Sequence, residues 1–530
     1  MPPEISSSEV KSKLLSGGEI ALLDVREEGV FAMGHLLFAR SVPLSRLELL
    51  IGDLVPRKAT PIILCDNSEG MAARAAARLS GFGYDDLAIL EGGIRGWAEA
   101  GNTLFGGVFV PSKAFGEFVE ATCHPTFITP EDLQRKIDAN EDVLVLDSRP
   151  IDEYRRACIP TAIDAPGAEL VYRVHDLVRS PETLVVVNCA GRTRSIIGSQ
   201  SLINAGIGNT VVALRNGTMG WRLAGMALEK GQERQAQLPS PDGLTKARAC
   251  SARVAERFGV RTIDRTTLDA WHEESDRHSL YLFDVRSPEE YRAGHLIDSI
   301  SAPGGQLVQA TDKYIGTLGA RLVLIDDTGV RATLTASWLI QMGWSNVVVL
   351  RNGLAGNNQI TGGHQPKIFG LDEVDTNSVT PKELEQMLAE GDTAVVDVAT
   401  SREYRNGHVP GSWFAVRSRF AKSIPEVPKS SGVILTSDDG ILARLAATEA
   451  AAHLDVPVGV LDGGTLAWKE AGLPVSDGFE NLADDTDDVY WRPHEGVGNE
   501  ESAMREYLDW ESGLVDQVEQ DGTARFKCFP

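Results

Sequence analysis

Cysteine is scarce in this chain: 530 residues hold six, at positions 65, 123, 158, 189, 250 and 528. No two form a C-x-x-C pair, and none stands beside a histidine at zinc-ligand spacing. Neither a disulfide framework nor a structural zinc is expected, and nothing calls for a metal or a cofactor. An excess of positive charge is also missing. Lys and Arg number 51 against 75 Asp and Glu, a formal net charge of −24. Nucleic acids and anionic membranes demand basic faces, so neither is an expected partner. No apolar run approaches the roughly 18 residues of a membrane span. The opening MPPEISSSEV has no basic and apolar leader. These absences predict a reduced, cytoplasmic protein. They do not exclude a small anion as substrate, because charge is screened beyond roughly 8 Å and local residues decide.

What the chain has is repetition. Its length is too great for one core, since single cores stop growing near roughly 250–300 residues. Four segments end an apolar run on aspartate: ALLDVREEGVFAMGH at Asp24, LVLDSRPIDEYRRAC at Asp147, YLFDVRSPEEYRAGH at Asp284 and AVVDVATSREYRNGH at Asp397. Each is followed by a closing motif: LEGGIRGW to Trp97, LRNGTMGW to Trp221, LRNGLAGN to Asn357 and LDGGTLAW to Trp468. The period, roughly 110–140 residues, is that of a domain and not of a solenoid repeat. Thr129-Pro130 and Thr380-Pro381 open helices with an N-cap and an N1 proline. Continuous apolar strands alternating with helices predict an α/β fold, a small parallel sheet with helices on both faces, made four times. The expected units are 1–107, 125–230, 261–366 and 371–476. An acidic tail, 477–530, carries one amphipathic helix expected to dock on the last unit.

The chemistry concentrates after the second strand. In LVVVNCAGRTRS an apolar run stops at Cys189 and is followed by Ala190, Gly191, Arg192, Thr193, Arg194 and Ser195. This places a thiol at the C-terminal end of a parallel strand, where ligands bind in open α/β sheets. It also faces the N-terminus of the next helix, whose free N–H groups and dipole favour an anion. With two arginines added, such surroundings lower a thiol pKa and make a thiolate nucleophile. The same groups suit an anionic substrate that carries sulfur, such as thiosulfate. Aligning the closing motifs sets Cys65 beside Cys189, each 32 residues before its tryptophan. Cys65 is therefore a candidate second catalytic residue, although Asp66 and Glu69 would raise its pKa. Asp326 and Ser437 fall at the same place in the third and fourth units, which are read as non-catalytic.

These elements resemble the rhodanese superfamily: D-x-R, E-Y-x-x-G-H, G-G/N-G-x-x-x-W, and a cysteine opening a six-residue loop. The resemblance extends to about residue 476, as four tandem rhodanese-like domains. It implies a sulfurtransferase of the thiosulfate type with Cys189 catalytic. The cysteine takes sulfane sulfur as a persulfide, cradled by the amides from Ala190 to Ser195, and passes it to cyanide or a thiol. Arg192 and Arg194 would hold the donor's sulfonate. Units 1 and 2 resemble the silent and active halves of two-domain members, and units 3 and 4 a second pair. A mercaptopyruvate-type donor is a lesser alternative. A phosphatase is disfavoured because Cys189-x4-Arg194 is one residue short of Cys-x5-Arg. A further alternative is a sulfur carrier or scaffold that docks a partner protein through its thiol-less units.

The remaining residues read as structural. The four aspartates organise strand ends, and Arg26, Arg149 and Arg286 pair with them. His35, His295 and His408 recur in thiol-bearing and thiol-less units alike. Cys158, a possible resolving thiol, is expected to be a small buried residue. Trp97, Trp221 and Trp468 are expected to pack the core.

Overall fold

The computed structural model describes residues 2–356, 359–428, 430–493, 495 and 500–529. Asn357, the end of the third closing motif, lies outside them. Four sheets of five or six strands share one strand order. In unit 2 it is Phe127–Ile128, Val211–Leu214, Leu184–Asn188, Val143–Asp147 and Ile163–Asp164, all parallel. Val185, Val186 and Val187 are each fully buried. Helices cover both faces of the sheet, so this strand shows no polar alternation. The expected caps form. Thr129 accepts the Asp132 N–H at 3.1 Å, and Thr380 forms a reciprocal capping box with Glu383. Each such cap contributes about 1 kcal/mol. Among the described residues no helix is long and apolar enough to cross a membrane.

Three features depart from the sequence reading. First, the sheets borrow strands. Thr317–Leu318 of unit 3 pairs antiparallel with Ile20–Asp24 of unit 1, and Asn481–Leu482 of the tail adds to the sheet of unit 4. Second, the helical faces that pack together are those of units 2 and 3 and of units 1 and 4, not those of the expected pairs, units 1 and 2 and units 3 and 4. Ile196 and Ile197 share one apolar cluster with Phe283, Leu307 and Trp338, and Trp338 Nε1 donates to Ser201 Oγ at 2.7 Å. Between units 1 and 4, buried Arg417 is clasped by Glu48 at 2.9 Å and by Glu449.

Third, the tail forms two helices, Glu500–Ser512 and Leu514–Asp521, and neither docks on the last unit: the first packs on unit 2 and the second beside Leu37 and Phe105 of unit 1. They also lie on a linker helix, Val110–Cys123, that joins units 1 and 2. Met504 and Leu508 pack on Met219 of unit 2. Leu514 and Val518 pack on Val110 and Ala114 of the linker helix. The chosen partner follows the apolar surface: the linker helix and the closing helix of unit 2 each present an apolar stripe that would otherwise face water.

Candidate active site

Strand register fixes which residues are equivalent. Asp147 lies opposite Asn188, so Cys189 is the first residue past the strand. Asp284 lies opposite Ile325 and Asp397 opposite Thr436, which puts Asp326 and Ser437 in the same place. In unit 1, Asp24 lies opposite Cys65. The equivalent of Cys189 is therefore Asp66, and Cys65 corresponds to Asn188. Two further contacts agree. The carbonyls of Cys189, Asp66 and Ser437 each accept an N–H of the closing turn, from Thr218, Ile94 and Thr465. The amide six residues on reaches the side chain in all four units: Ala72 to Asp66, Ser195 to Cys189, Ala332 to Asp326 and Ala443 to Ser437.

The alignment that paired the two cysteines is thus one residue off. A one-residue slip in a strand turns a side chain to the opposite face. Cys65 packs there with Ile63 and Trp97. Burial, followed by the charge of Asp24, drives its thiol well above the ordinary value.

Local sequence builds the loop. Gly217, at φ +55°, opens the closing turn, and a side-chain carbon there would lie 2.2 Å from the Cys189 carbonyl. Its glycine is thus required both by backbone angle and by space. Thr218 and Met219 donate to the carbonyls of Cys189 and Ala190 at 2.8 and 3.0 Å. The helix Thr193–Ala205 then points its N-terminus at the thiol. Among the described residues, the N–H groups of Ala190, Gly191, Arg192, Thr193 and Arg194 find no acceptor. They form a donor-rich cradle of the kind that holds an anion.

The aspartates of units 1 and 3 fill part of that cradle from within, whereas the serine of unit 4 meets only the counterpart of Ser195. Asp326 accepts the amides of Gly329 at 2.7 Å, Arg331 at 2.9 Å and Ala332 at 3.3 Å. Asp66 accepts those of Ser68 at 2.8 Å and Ala72 at 3.0 Å. Ser437 accepts that of Ala443 at 3.2 Å.

The arginines are not where the sequence reading needs them. Arg192 donates to both oxygens of Glu117 on the linker helix, at 2.8 and 2.7 Å, and also meets Glu120 and Asn216. Arg194 forms a two-pronged pair with Glu153 at 2.9 and 2.8 Å. Arg331 of thiol-less unit 3 holds Glu290 in the same manner, at 2.6 and 2.9 Å. Both loop arginines therefore fix the loop and have their donors committed, so neither stands free to receive a sulfonate.

The expected lowering of the Cys189 pKa is also absent. Cys189 is 2 % exposed. Burial pushes its thiol up, more than the Arg194 charge and the Ser195 hydroxyl and amide pull it down, and Glu511 adds to the rise. For Glu153 the balance falls the other way. Burial alone would raise it, but the charge and hydrogen bonds of Arg194 hold it down at about 2. Cys189 Sγ donates to Ser195 Oγ at 3.4 Å, and that hydroxyl donates to the Arg192 carbonyl at 2.8 Å.

Sequence reasoning missed Lys113 and Glu117 on the linker helix and Tyr507 and Glu511 on the tail. A side-chain carbon on Gly191 would lie 3.2 Å from Glu511 Oε2 and 3.5 Å from Tyr507 Cε1, so the tail covers the cradle. Nothing in their local patterns marks these residues, because their partners lie tens to hundreds of positions away.

The structural expectations fare better. Asp24, Asp147 and Asp284 each accept from the arginine two residues on. Asp397 has Ala399 there, and burial pushes it up to about 7. His35 stacks on Phe31, His295 on Tyr291 and His408 on Tyr404. The three tryptophans are buried. Cys158 is buried with Tyr154 and Trp221, on the other face of the sheet from Val185 and Val187.

Comparison with known proteins agrees with this geometry. A family model described as rhodanese-like domain matches residues 6–100, 129–224, 265–358 and 380–471. A crystal structure of thiosulfate sulfurtransferase from Pseudomonas aeruginosa is 47% identical, with a TM-score of 0.95 and full coverage of both chains. Shorter similarities exist to the HTH-type transcriptional regulator Rv0324 of Mycobacterium tuberculosis, 36% identical over 104 residues, and to the uncharacterized protein YqhL of Bacillus subtilis, 39% over 77. These cover 20% and 14% of this chain, and 45% and 59% of those proteins. The chain thus spans about half the length of these curated relatives.

Proposed function

The chain belongs to the rhodanese-like family, and from that premise we propose that it is a sulfurtransferase whose one nucleophile is Cys189. The observation that carries the proposal is the unfilled cradle: five loop amides without an acceptor among the described residues surround the only thiol at that position. Units 1, 3 and 4 put Asp66, Asp326 and Ser437 there. Thiosulfate is the proposed donor, supported by the name of the full-length neighbour in Pseudomonas aeruginosa.

The Cys189 thiolate attacks the outer sulfur of thiosulfate. A new S–S bond forms, the old one breaks, and sulfite leaves with the electron pair. The thiol's proton goes to sulfite or water. The terminal sulfur of the persulfide carries the negative charge, and the amides of Ala190 to Ser195 stabilise it, as preorganised donors do for developing anions. Cyanide or a thiolate then attacks that sulfur, and the Cys189 thiolate is regenerated. Arg192 and Arg194 hold the loop in shape, and the Arg194 charge favours the thiolate.

The test is sulfur loading. After incubation with thiosulfate, the intact protein should hold one cyanide-releasable sulfur and turn over to thiocyanate. Cys189→Ala should do neither, and retention of full turnover in that variant would sink the proposal. Loading without turnover until a protein thiol is supplied would favour the sulfur-carrier reading. Hydrolysis of a phosphoester that depends on Cys189 would favour a phosphatase.

A further inference from the structure

The closed site holds two mismatches side by side. Among the described residues five loop amides have no acceptor, and a neighbouring carboxylate has an oxygen with no donor. Glu511 is 2 % exposed, and its Oε2 has no hydrogen-bond partner among the described residues. That oxygen is the one lying over Gly191. The partners of Glu511 all crowd the other oxygen: the Tyr507 hydroxyl at 2.9 Å, the Thr193 hydroxyl at 3.5 Å and the Lys113 ammonium at 3.5 Å. Such a half-satisfied buried carboxylate is costly.

Lys113 has the complementary position. It is 5 % exposed on the linker helix, and its ion pair among the described residues is with Glu511. It also contacts the Tyr507 hydroxyl and lies 4.3 and 4.9 Å from the ring centres of Tyr507 and Trp510. Unlike the guanidiniums of Arg192 and Arg194, this cation is committed to a residue of the covering helix and not to the frame of the site.

We propose that Glu511 is a built-in stand-in for the anionic donor, and that Lys113 is the cation the donor's sulfonate takes over when the tail helix gives way. This rests on the reading of Cys189 as the sulfur-accepting nucleophile and names how that site admits its substrate. The donor dianion supplies acceptors for the loop amides and a counter-charge for Lys113, which Glu511 does only in part. The covering helix meets unit 2 through a small apolar contact, Met504 and Leu508 on Met219, and an exposed pair between Arg222 and Glu500 that water can replace. The negative charge of Glu511 is also one of the influences that keep the resting thiol protonated.

The experiment uses the full chain with thiosulfate as the probe and iodoacetamide as a neutral reporter of Cys189. Glu511→Gln keeps the shape and removes the charge. It should lower the KM for thiosulfate several-fold and move the pH profile of Cys189 alkylation to lower pH. Lys113→Met should raise that KM about tenfold, the worth of one buried charged contact. Its cyanide half-reaction from preloaded protein should be unchanged, and Lys113→Arg should recover most of the loss. An unchanged or higher KM in Glu511→Gln, with an unmoved alkylation profile, would overturn the stand-in. An unchanged KM in a folded Lys113→Met would overturn the role of the cation. Failure of the wild-type chain to load sulfur would instead overturn the underlying sulfurtransferase reading.

Discussion

Units 2 and 3 carry the same loop on the same strand, and they differ in what satisfies it. In unit 3 the Asp326 carboxylate accepts three loop amides. In unit 2 the counterparts of the first two amides, Arg192 and Arg194, have no acceptor among the described residues, and the third, Ser195, meets the Cys189 sulfur. The arginine five residues on is shared and does the same work, holding Glu290 in one unit and Glu153 in the other. Unit 3 therefore shows what the cradle binds when it is closed for good: an oxyanion of its own. The difference teaches which parts of the loop are frame and which are site. The arginine is frame, because it persists without the thiol. The donors of Arg192 and Arg194 are site, because their counterparts in unit 3 are taken by the Asp326 carboxylate.

The largest expected effect comes from breaking the shared frame. Arg331 is fully buried and pairs with Glu169, Glu290 and Asp327. Removing one partner from a buried charge network costs about 3–5 kcal/mol. Arg331→Met should lower the stability of the paired units 2 and 3 by that amount, while sulfur loading at Cys189 survives in the folded fraction. Arg194→Met removes one pair, partly exposed, and should cost less in stability. It should also raise the pH at which Cys189 alkylates, because the charge that favours the thiolate is lost. Denaturant unfolding and alkylation profiles of the two variants check the contrast. Equal alkylation profiles would place Arg194 outside the electrostatics of the thiol.

A smaller effect should separate the two occupants of the cradle. Asp326→Ala strips the acceptor from three amides in a closed loop, at about 2–4 kcal/mol. Cys189→Ala strips no acceptor that the loop amides from Ala190 to Arg194 depend on and should cost about 1 kcal/mol, while abolishing turnover. Calorimetry on both variants checks this. A Cys189→Ala protein as destabilised as Asp326→Ala would mean that the unit 2 loop is a structural clasp like its sister.

Much of this was legible in sequence. The aspartate at each strand end and the closing glycines recur at domain spacing, so four parallel sheets follow from period and patterning alone. Cys189 stands out through local chemistry: a thiol after a buried strand, at the start of a helix. The roles of Arg192 and Arg194 were not legible. A guanidinium near a thiol reads as a free donor until its partner is known, and Glu117 lies 75 residues away in a segment outside the repeats. Lys113 and Glu511, nearly four hundred residues apart in sequence, meet only through tertiary packing. The placement of Cys65 failed for another reason. Counting from the tryptophans assumes equal spacing, but unit 2 has one residue more than unit 1 between the loop and the closing turn, and in a strand one residue changes the face.

That last point yields the smallest expected effect, which also tests unit 1 against unit 2 most directly. Were Cys65 the equivalent of Cys189, its removal would take away a second nucleophile, and sulfur loading would fall toward one per chain. The strand register instead makes it the equivalent of Asn188, buried beside Ile63 and Trp97. Its own loop is already closed by Asp66, which accepts the amides of Ser68 and Ala72. Cys65→Ala therefore removes only a buried sulfur, worth about 1 kcal/mol. Wild type and variant should both load one sulfur per chain and turn over at the same rate. Asp66→Ala, one residue on, should destabilise unit 1 more than Cys65→Ala does, because it orphans two loop amides. A loading stoichiometry that drops in Cys65→Ala, or an Asp66→Ala protein as stable as wild type, would return the thiol of unit 1 to the catalytic position and undo the register on which the comparison stands.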